Sequence, residues 1–180
     1  TDNGISRVPL SGESSSMDNE IVEFIENDAM NRIYLRHAYQ YAQSYSKEPN
    51  TQLGAILVKP SVGVVGWGVN ALIGFNSESG DTWEDPERNV IYKCAERGIC
   101  TTGLIMYCPW FTSVDSARAI VQSGISAVVG HKRMYDVPWR KTSTENGISI
   151  LKDCKILTKI WDGKIGNKVS IRLNGDILSP

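Results

Sequence analysis

The order of hydrophobic and polar positions along the chain predicts helices that alternate with short strands. From Asn19 onward the apolar residues recur at helical spacing, and the segment NDAMNRIYLRHAYQYAQSYS predicts a long amphipathic first helix. The residues expected on its apolar face are Met30, Ile33, Tyr34, His37, Ala38, Tyr41 and Ala42. The apolar runs TQLGAILVKP and GVVGWGVN, separated by a Pro-Ser-Val-Gly turn, then predict a β-hairpin.

The second half of the pattern alternates regularly between helix and strand. After a polar loop over 71–85, PERNVIYKCAERG predicts a second helix, because Pro86 suits the first helical position and Gly98 suits the end. The remaining elements are a strand GLIMYCPW, a helix SVDSARAIVQSG, a strand ISAVVGH, a weaker helix near TENGISILKDC and a strand KILTKIW. This order predicts the α/β class: a three-layer α/β/α sandwich with a mixed five-stranded sheet. The closing segment DGKIGNKVSIRLNGDILSP predicts an extra C-terminal hairpin or strand.

The distribution of polar residues divides the chain into two parts. Residues 1–18 are rich in Ser, Gly and Asp and have no hydrophobic period, which predicts a flexible polar N-terminal arm. Residues 19–180 predict one domain, since a chain of 180 residues that is 41% hydrophobic can form a single core.

Charge and cysteine content narrow the classes of partner and the compartment. With 19 basic and 20 acidic residues the net charge is -1, so there is no strong nucleic-acid signal and no field towards a membrane surface. No apolar run reaches the ~18 residues of a membrane span, and the amino terminus lacks the apolar core of a secretory signal. The four cysteines are too few and too irregularly placed for a disulfide framework. We therefore expect a soluble protein in a reduced, cytoplasmic compartment.

Several segments together resemble one enzyme family. The segments NTQLGAILVKP, GWGVN, ERNVIYKCAERGICTTG, MYCPWF, SARAIVQSGI, AVVGHKR and IRLNGDILSP are similar to the deoxycytidylate (dCMP) deaminases of the bacterial and phage type. That family lies within the cytidine deaminase-like zinc superfamily, so the resemblance implies a cytidine deaminase-like fold. In the family, an Asn at the end of a hairpin strand contacts the nucleotide, a His-Ala-Glu triplet opens the second helix and Pro-Cys-x-x-Cys opens the third.

The chemistry of the family explains these residue types. Zinc held by one imidazole and two thiolates keeps its fourth position for water, lowers the pKa of that water and lets hydroxide attack C4 of cytosine. The Glu is not a ligand, and it moves the proton from the water to the ring and the leaving amine.

In this chain the resemblance implies that all three zinc-ligand positions are replaced. His-Ala-Glu corresponds to Asp85, Pro86 and Glu87, while Pro-Cys-x-x-Cys corresponds to 112–116. The ligand positions therefore hold Asp85, Ser113 and Ser116, and only Glu87, the position of the proton shuttle, is kept. A hydroxyl stays protonated near neutral pH and has no thiolate-like affinity for zinc, so we expect no zinc and no other cofactor.

A second alignment places the triplet on Cys94, Ala95 and Glu96, which imitates the Cys-Ala-Glu form of the motif. Its partner cysteines would then lie about 30 residues onward, near Gly124, where the sequence QSGISAV holds no zinc ligand. In the preferred alignment Ser113 follows Asp85 by 28 residues and the flanking segments match without gaps.

The resemblance also supplies candidate site residues. Glu87 is a vestigial proton shuttle and Asp85 a second candidate acid or base, while the residues expected to line a nucleotide site are Asn70, Trp110, Phe111 and Ser113. For Ser113 and Ser116, caps of the third helix are the plainer interpretation. The segment His131, Lys132, Arg133 resembles the family's region near the substrate phosphate, with a solvated loop as the alternative.

Three hypotheses about function remain. The first is a catalytically degenerate, non-catalytic structural or assembly subunit. The second is a regulatory pseudoenzyme that binds a deoxynucleotide. The third is an active hydrolase, either one that converts dCMP to dUMP with an unorthodox metal site or one repurposed for other nucleotide chemistry with Asp85 and Glu87 as acid and base. Members of the family commonly assemble into oligomers, so the resemblance implies a homo-oligomer. The polar arm suggests a larger protein assembly. A viral particle is a second location to consider beside the cytoplasm.

Overall fold

A mixed five-stranded sheet forms the centre of the computed structural model, which describes residues 14–74, 82–166 and 168–180. Its strands are β1 (Gly54–Lys59), β2 (Gly63–Val69), β5 (Ile105–Tyr107), β6 (Ala127–His131) and β7 (Leu157–Trp161). They lie in the order β2-β1-β5-β6-β7. Strand β1 is antiparallel to both β2 and β5, whereas β5, β6 and β7 are parallel. The predicted mixed sheet is confirmed.

Helices cover both faces of this sheet. They are α1 (Ser14–Glu26), α2 (Asp28–Tyr45), α3 (Pro86–Glu96), α4 (Val114–Gln122), the short α5 (Lys132–Tyr135) and α6 (Lys141–Asp153), with a 3-10 turn at Pro138–Arg140. Helices α1 and α2 pack on one face, whereas α3, α4 and α6 lie side by side on the other. The three-layer α/β/α sandwich predicted from the sequence is therefore confirmed.

Small residues in the hairpin set how closely helices approach the sheet. A Cβ on Gly68 of β2 would lie 2.6 Å from the carbonyl oxygen of Pro86 and from the amide nitrogen of Val90. The absence of a side chain there lets the first turns of α3 rest directly on β2. The amino terminus of α3 is consequently held at a fixed place on the sheet.

The helix predicted over NDAMNRIYLRHAYQYAQSYS is confirmed as α2, but the helical stretch expected from Asn19 onward differs from the structure in two respects. It is broken at Asn27, whose side chain accepts a hydrogen bond from the amide of Met30 and so caps a new helix, α2. The buried face is also rotated: Leu35 and Tyr39 are buried, while Ile33 is 45% exposed. The residues buried along α2 are Asn31, Leu35, Ala38, Tyr39 and Ala42.

A buried asparagine explains the rotation. The Asn31 side chain donates to the carbonyl of Ile25 at 2.7 Å and accepts from the hydroxyl of Tyr107 at 3.1 Å. A polar residue with two such partners is stable in the interior, although a hydrophobic pattern assigns it to the surface.

The ends and loops differ from the sequence prediction in smaller ways. Helix α1 begins at Ser14, inside the arm predicted over 1–18, and residues 1–13 of that arm lie outside the described residues. Within the predicted loop 71–85, two short strands, β3 (Ala71–Leu72) and β4 (Trp83–Glu84), pair with each other, and 75–81 lie outside the described residues. The predicted C-terminal hairpin is confirmed as β8 (Ile171–Leu173) and β9 (Asp176–Leu178), a separate two-stranded sheet.

Two further features of the described residues concern membrane spans and disulfides. None of their helices has the length and apolar character that crossing a bilayer requires. All four cysteines are free thiols.

Candidate functional site

The amino termini of α3 and α4 converge beside the ends of β4 and β5. Asp85 immediately precedes α3, and Pro86 occupies its first turn. Ser113 is the N-cap of α4, and its hydroxyl accepts a hydrogen bond from the amide of Ser116 at 3.3 Å. Two helix amino termini with polar side chains therefore meet at one place.

The three positions predicted to replace zinc ligands are in direct contact. The hydroxyls of Ser113 and Ser116 each donate to the same oxygen, Oδ2 of Asp85, at 3.2 Å. Ser116 is completely buried, whereas about one third of the Asp85 side chain is exposed. We call this set of Asp85, Ser113 and Ser116 the Asp-Ser-Ser cluster.

An arginine flanks the cluster on the α3 side. The guanidinium of Arg88 lies 3.8 Å from Oδ2 of Asp85 and 2.5 Å from Oε1 of Glu84. Glu84 also accepts a hydrogen bond from the backbone amide of Asp85 at 3.0 Å. The negative charge of Asp85 is thus partly balanced within its own helix turn.

Glu87 lies beneath the cluster with little access to water. Its side chain is 3% exposed, and burial together with the nearby Asp85 carboxylate raises its pKa from an ordinary 4.5 to about 8. The thiol of Cys108 donates to the carbonyl of Phe111 at 3.3 Å, and burial together with the nearby Glu87 carboxyl raises the pKa of that thiol. Near neutral pH Glu87 is therefore mostly a neutral carboxylic acid.

The predicted nucleotide contact Asn70 is buried, and both ends of its side-chain amide are hydrogen-bonded within the protein. Its Oδ1 accepts from the hydroxyl of Ser46 at 2.5 Å and from the amide of Leu53 at 2.9 Å. Its Nδ2 donates to the carbonyl of Thr51 at 2.6 Å. In this arrangement Asn70 fixes the loop that leads into β1, and its role towards a nucleotide stays a prediction.

Phe111 and Trp110, also predicted to line a nucleotide site, are buried. Phe111 has a left-handed backbone, with φ of 57°, and its ring lies where a Cβ on Gly130 would be, at 2.1 Å. The indole N–H of Trp110 has no hydrogen-bond acceptor among the described residues.

Sequence reasoning missed two residues that contact Trp110. The guanidinium carbon of Arg140 lies 4.8 Å from the centre of the Trp110 ring, and the ring of Trp139 lies 5.8 Å away at 49°. Both residues belong to the 3-10 turn at Pro138–Arg140, and no motif in the sequence places that turn over the site.

The segment predicted to lie near a substrate phosphate borders a cavity of about 750 Å³ at the ends of β6 and β7. His131 is buried there, with Nδ1 2.7 Å from the hydroxyl of Tyr39 and Nε2 2.8 Å from the carbonyl of Gly163. Burial lowers the pKa of His131. Lys132 pairs with Asp136, so the basic residues at this cavity are partly neutralised. None of the Asp-Ser-Ser cluster lines it.

The donor atoms at the cluster do not fit zinc. Among the residues that the structure describes, no three His, Cys, Asp or Glu side chains come close enough to share a metal ion. One carboxylate and two neutral hydroxyls replace the imidazole and thiolates that zinc prefers. The zinc that the deaminase family holds has no suitable ligand set among the described residues.

Comparison with solved structures shows that the fold is cytidine deaminase-like. The dCMP deaminase from cyanophage S-TIM5 in its apo form is 19% identical, with a TM-score of 0.62 over 75% of this chain and 99% of that one. Its complex with dCMP and dUMP is 21% identical, with a TM-score of 0.61 over 75% and 98%. A diaminohydroxyphosphoribosylaminopyrimidine deaminase/reductase from Thermotoga maritima is 17% identical, with a TM-score of 0.56 over 76% of this chain and 37% of that one. No protein-family profile and no curated protein sequence matches the chain.

Proposed function

We propose that this chain is a catalytically degenerate, dCMP deaminase-like protein that serves as a non-catalytic structural or assembly subunit. The observation that carries the proposal is the closed hydrogen bonding of the Asp-Ser-Ser cluster, in which two hydroxyls bind one carboxylate oxygen. Without a Lewis acid, several kcal/mol of transition-state stabilisation are missing, which corresponds to orders of magnitude in rate.

The surroundings of the cluster support the same proposal. Asn70 spends its hydrogen-bonding groups on Ser46, Thr51 and Leu53, and Phe111 is packed against Gly130. Residues that would receive a substrate are instead engaged in holding loops of the fold. Near neutral pH Glu87 is mostly a neutral acid, a form that cannot accept the proton of a water.

The assembly part of the proposal rests on the C-terminal hairpin. It is fixed to the domain by paired hydrogen bonds between Gln52 and Arg172, at 2.9 and 3.0 Å, while Ile177 on β9 remains 71% exposed. We propose this hairpin, with Ile177 facing outward, as the contact with a second copy. Light scattering of the purified chain, and of Ile177→Lys, tests this, and a monomer at every concentration would contradict it.

The test of the non-catalytic assignment is a deamination assay. The protein is incubated with dCMP in the presence of zinc, and dUMP is quantified by chromatography, with Glu87→Ala as the control. We expect dUMP formation at the rate of the buffer alone. A rate that exceeds the buffer and disappears in Glu87→Ala would overturn the proposal in favour of an active deaminase.

A regulatory role that requires nucleotide binding is the second candidate, favoured by the aromatic and cationic groups near Trp110. Arg140 lies over the Trp110 ring without an ion-pair partner among the described residues, and Trp139 is 59% exposed. Aromatic rings and guanidinium groups are the partners that bases and phosphates use. Titration of the tryptophan fluorescence with dCMP, dTTP and deoxycytidine separates the structural role from the regulatory one. Saturable quenching by the nucleotides, lost in Arg140→Gln, would favour the regulatory role.

A further inference from the structure

We infer that the Asp85 carboxylate is a metal-free tie between the amino-terminal turns of α3 and α4, held by the hydroxyls of Ser113 and Ser116. In a zinc site of this kind, ligands from two helices meet on one ion, so the ion also fixes the helices to each other. The Asp-Ser-Ser cluster joins the same two helices through hydrogen bonds. This inference goes beyond the proposed function and holds whether or not the protein assembles.

The geometry of Asp85 separates this tie from an ordinary helix cap. Asp85 occupies the N-cap position of α3, yet its side chain makes no hydrogen bond to an amide of that helix. Its Oδ2 instead accepts from two side chains of the α4 turn, 28 and 31 residues later in the chain. A carboxylate that leaves its own helix uncapped and binds another helix acts between the two.

Ser116 shows that α4 depends on this contact. Ser116 is completely buried, and among the described residues Asp85 is the acceptor for its hydroxyl. A buried hydroxyl that loses its acceptor destabilises the folded state. Ser113 differs, because its hydroxyl also caps α4 by accepting from the amide of Ser116.

The charge of Asp85 strengthens the tie, and Arg88 holds the carboxylate in place. Hydrogen bonds that a carboxylate accepts are stronger than neutral ones. The Arg88 guanidinium, fixed by Glu84, approaches the same Oδ2 to 3.8 Å from the α3 side. Since one third of Asp85 is exposed, water weakens these contacts without removing them.

The experiment compares hydrogen exchange and urea unfolding of the wild type, Ser116→Ala and Asp85→Ala at pH 6. At this pH Glu87, with a pKa of about 8, is protonated in the folded wild type, and its contribution to stability is shared by Ser116→Ala, which keeps the Asp85 charge. The matched control is Asp115→Ala, because Asp115 lies in the same turn of α4 but is 70% exposed and pairs only with Arg118, at 3.1 Å, among the described residues.

We expect Asp85→Ala to speed exchange of the α4 amides at Ser116 and Ala117 by roughly 10-fold, although the substitution lies before α3. Ser116→Ala should lower the urea midpoint even though Ala favours a helix more than Ser. Asp115→Ala should change neither measurement. The double variant Asp85→Ala/Ser116→Ala should lose less stability than the sum of the two single variants, because both remove the same bond.

Two results would overturn the inference. One is a hydrogen-exchange rate at the Ser116 and Ala117 amides that is the same in Asp85→Ala as in the Asp115→Ala control. The other is strict additivity of the Asp85 and Ser116 substitutions. If Asp85→Ala does not fold, Asp85→Asn takes its place in the comparison of single and double variants. Asparagine keeps the size of the side chain and one acceptor oxygen but loses the charge. Deamination by the wild type would contradict the proposed function while leaving these stability measurements unaffected.

Discussion

Replacement of Glu87 by glutamine should stabilise the protein at alkaline pH. The buried carboxyl has a pKa of about 8 in the folded protein and an ordinary value of 4.5, because burial and the Asp85 charge favour its neutral form. Between these two values the folded state binds a proton that the unfolded state has released. The stability that the Glu87 carboxyl contributes is therefore fully present below pH 4.5 and is lost progressively as the pH rises to about 8.

The size of the effect follows from the two pKa values. At about 1.4 kcal/mol for each pKa unit, the gap between 4.5 and about 8 amounts to roughly 5 kcal/mol of stability in full, and to about 4 kcal/mol between pH 5 and pH 9. Domains of this kind are stable by only about 5–15 kcal/mol, so a loss of this size is readily measured. Glutamine matches the neutral acid in shape and does not titrate, so Glu87→Gln should escape the loss.

The assay is urea unfolding of the wild type and Glu87→Gln, followed by circular dichroism at pH 5, 7 and 9. The free energies of unfolding should nearly coincide at pH 5 and differ by about 4 kcal/mol in favour of the variant at pH 9. Glu145→Gln is the matched control, because Glu145 on α6 is 48% exposed. If the free energy of unfolding depends on pH in the same way for the wild type and Glu87→Gln, the reasoning is refuted, because Glu87 would then titrate alike in the folded and unfolded states.

Two further substitutions test how the surroundings of the cluster are held. Gly130→Ala places a Cβ 2.1 Å from the Phe111 ring, so we expect a loss of about 1–3 kcal/mol in urea unfolding, with the Phe111 ring displaced in a crystal structure. A loss below about 0.5 kcal/mol would show that the ring moves freely. Asn70→Ala leaves the amide of Leu53 and the hydroxyl of Ser46 without their acceptor and should cost about 2–4 kcal/mol. Unchanged stability would show that these hydrogen bonds do not hold the loop, which would leave the Asn70 side chain available to a ligand.

Residues that mark the ends of helices, and the resemblance to the deaminase family, made much of the fold predictable. Pro86 and Gly98 mark the start of α3 and the turn after it. The alignment on the deaminase family placed Asp85 and Ser113 at the starts of two helices, and the two side chains are in contact in the structure. Pro86 and Gly98 act locally, whereas the meeting of Asp85 and Ser113 depends on the fold that the resemblance implies. The break at Asn27 could not be predicted in the same way, because an asparagine in a helical pattern is compatible with either a cap or a surface position.

The internal bonding of the site was beyond the sequence. Asn70 directly follows β2, next to the predicted end of that strand, but its hydrogen bonds with Ser46, Thr51 and Leu53 depend on how the loop before β1 folds back. Arg140 reaches Trp110 from a turn that follows β6, a contact between segments with no shared pattern. Tertiary contacts of this kind set the chemistry of a site and leave no trace in local periodicity.

Zinc content per chain is the measurement that tests the account most directly. The wild type and a variant that restores the ligand types, Asp85→His/Ser113→Cys/Ser116→Cys, are purified with zinc supplied and measured by elemental analysis. Because the three side chains converge on one point, the variant should hold about one zinc per chain. The wild type should hold almost none. About one zinc in the wild type would contradict the account and point to a metal-dependent deaminase.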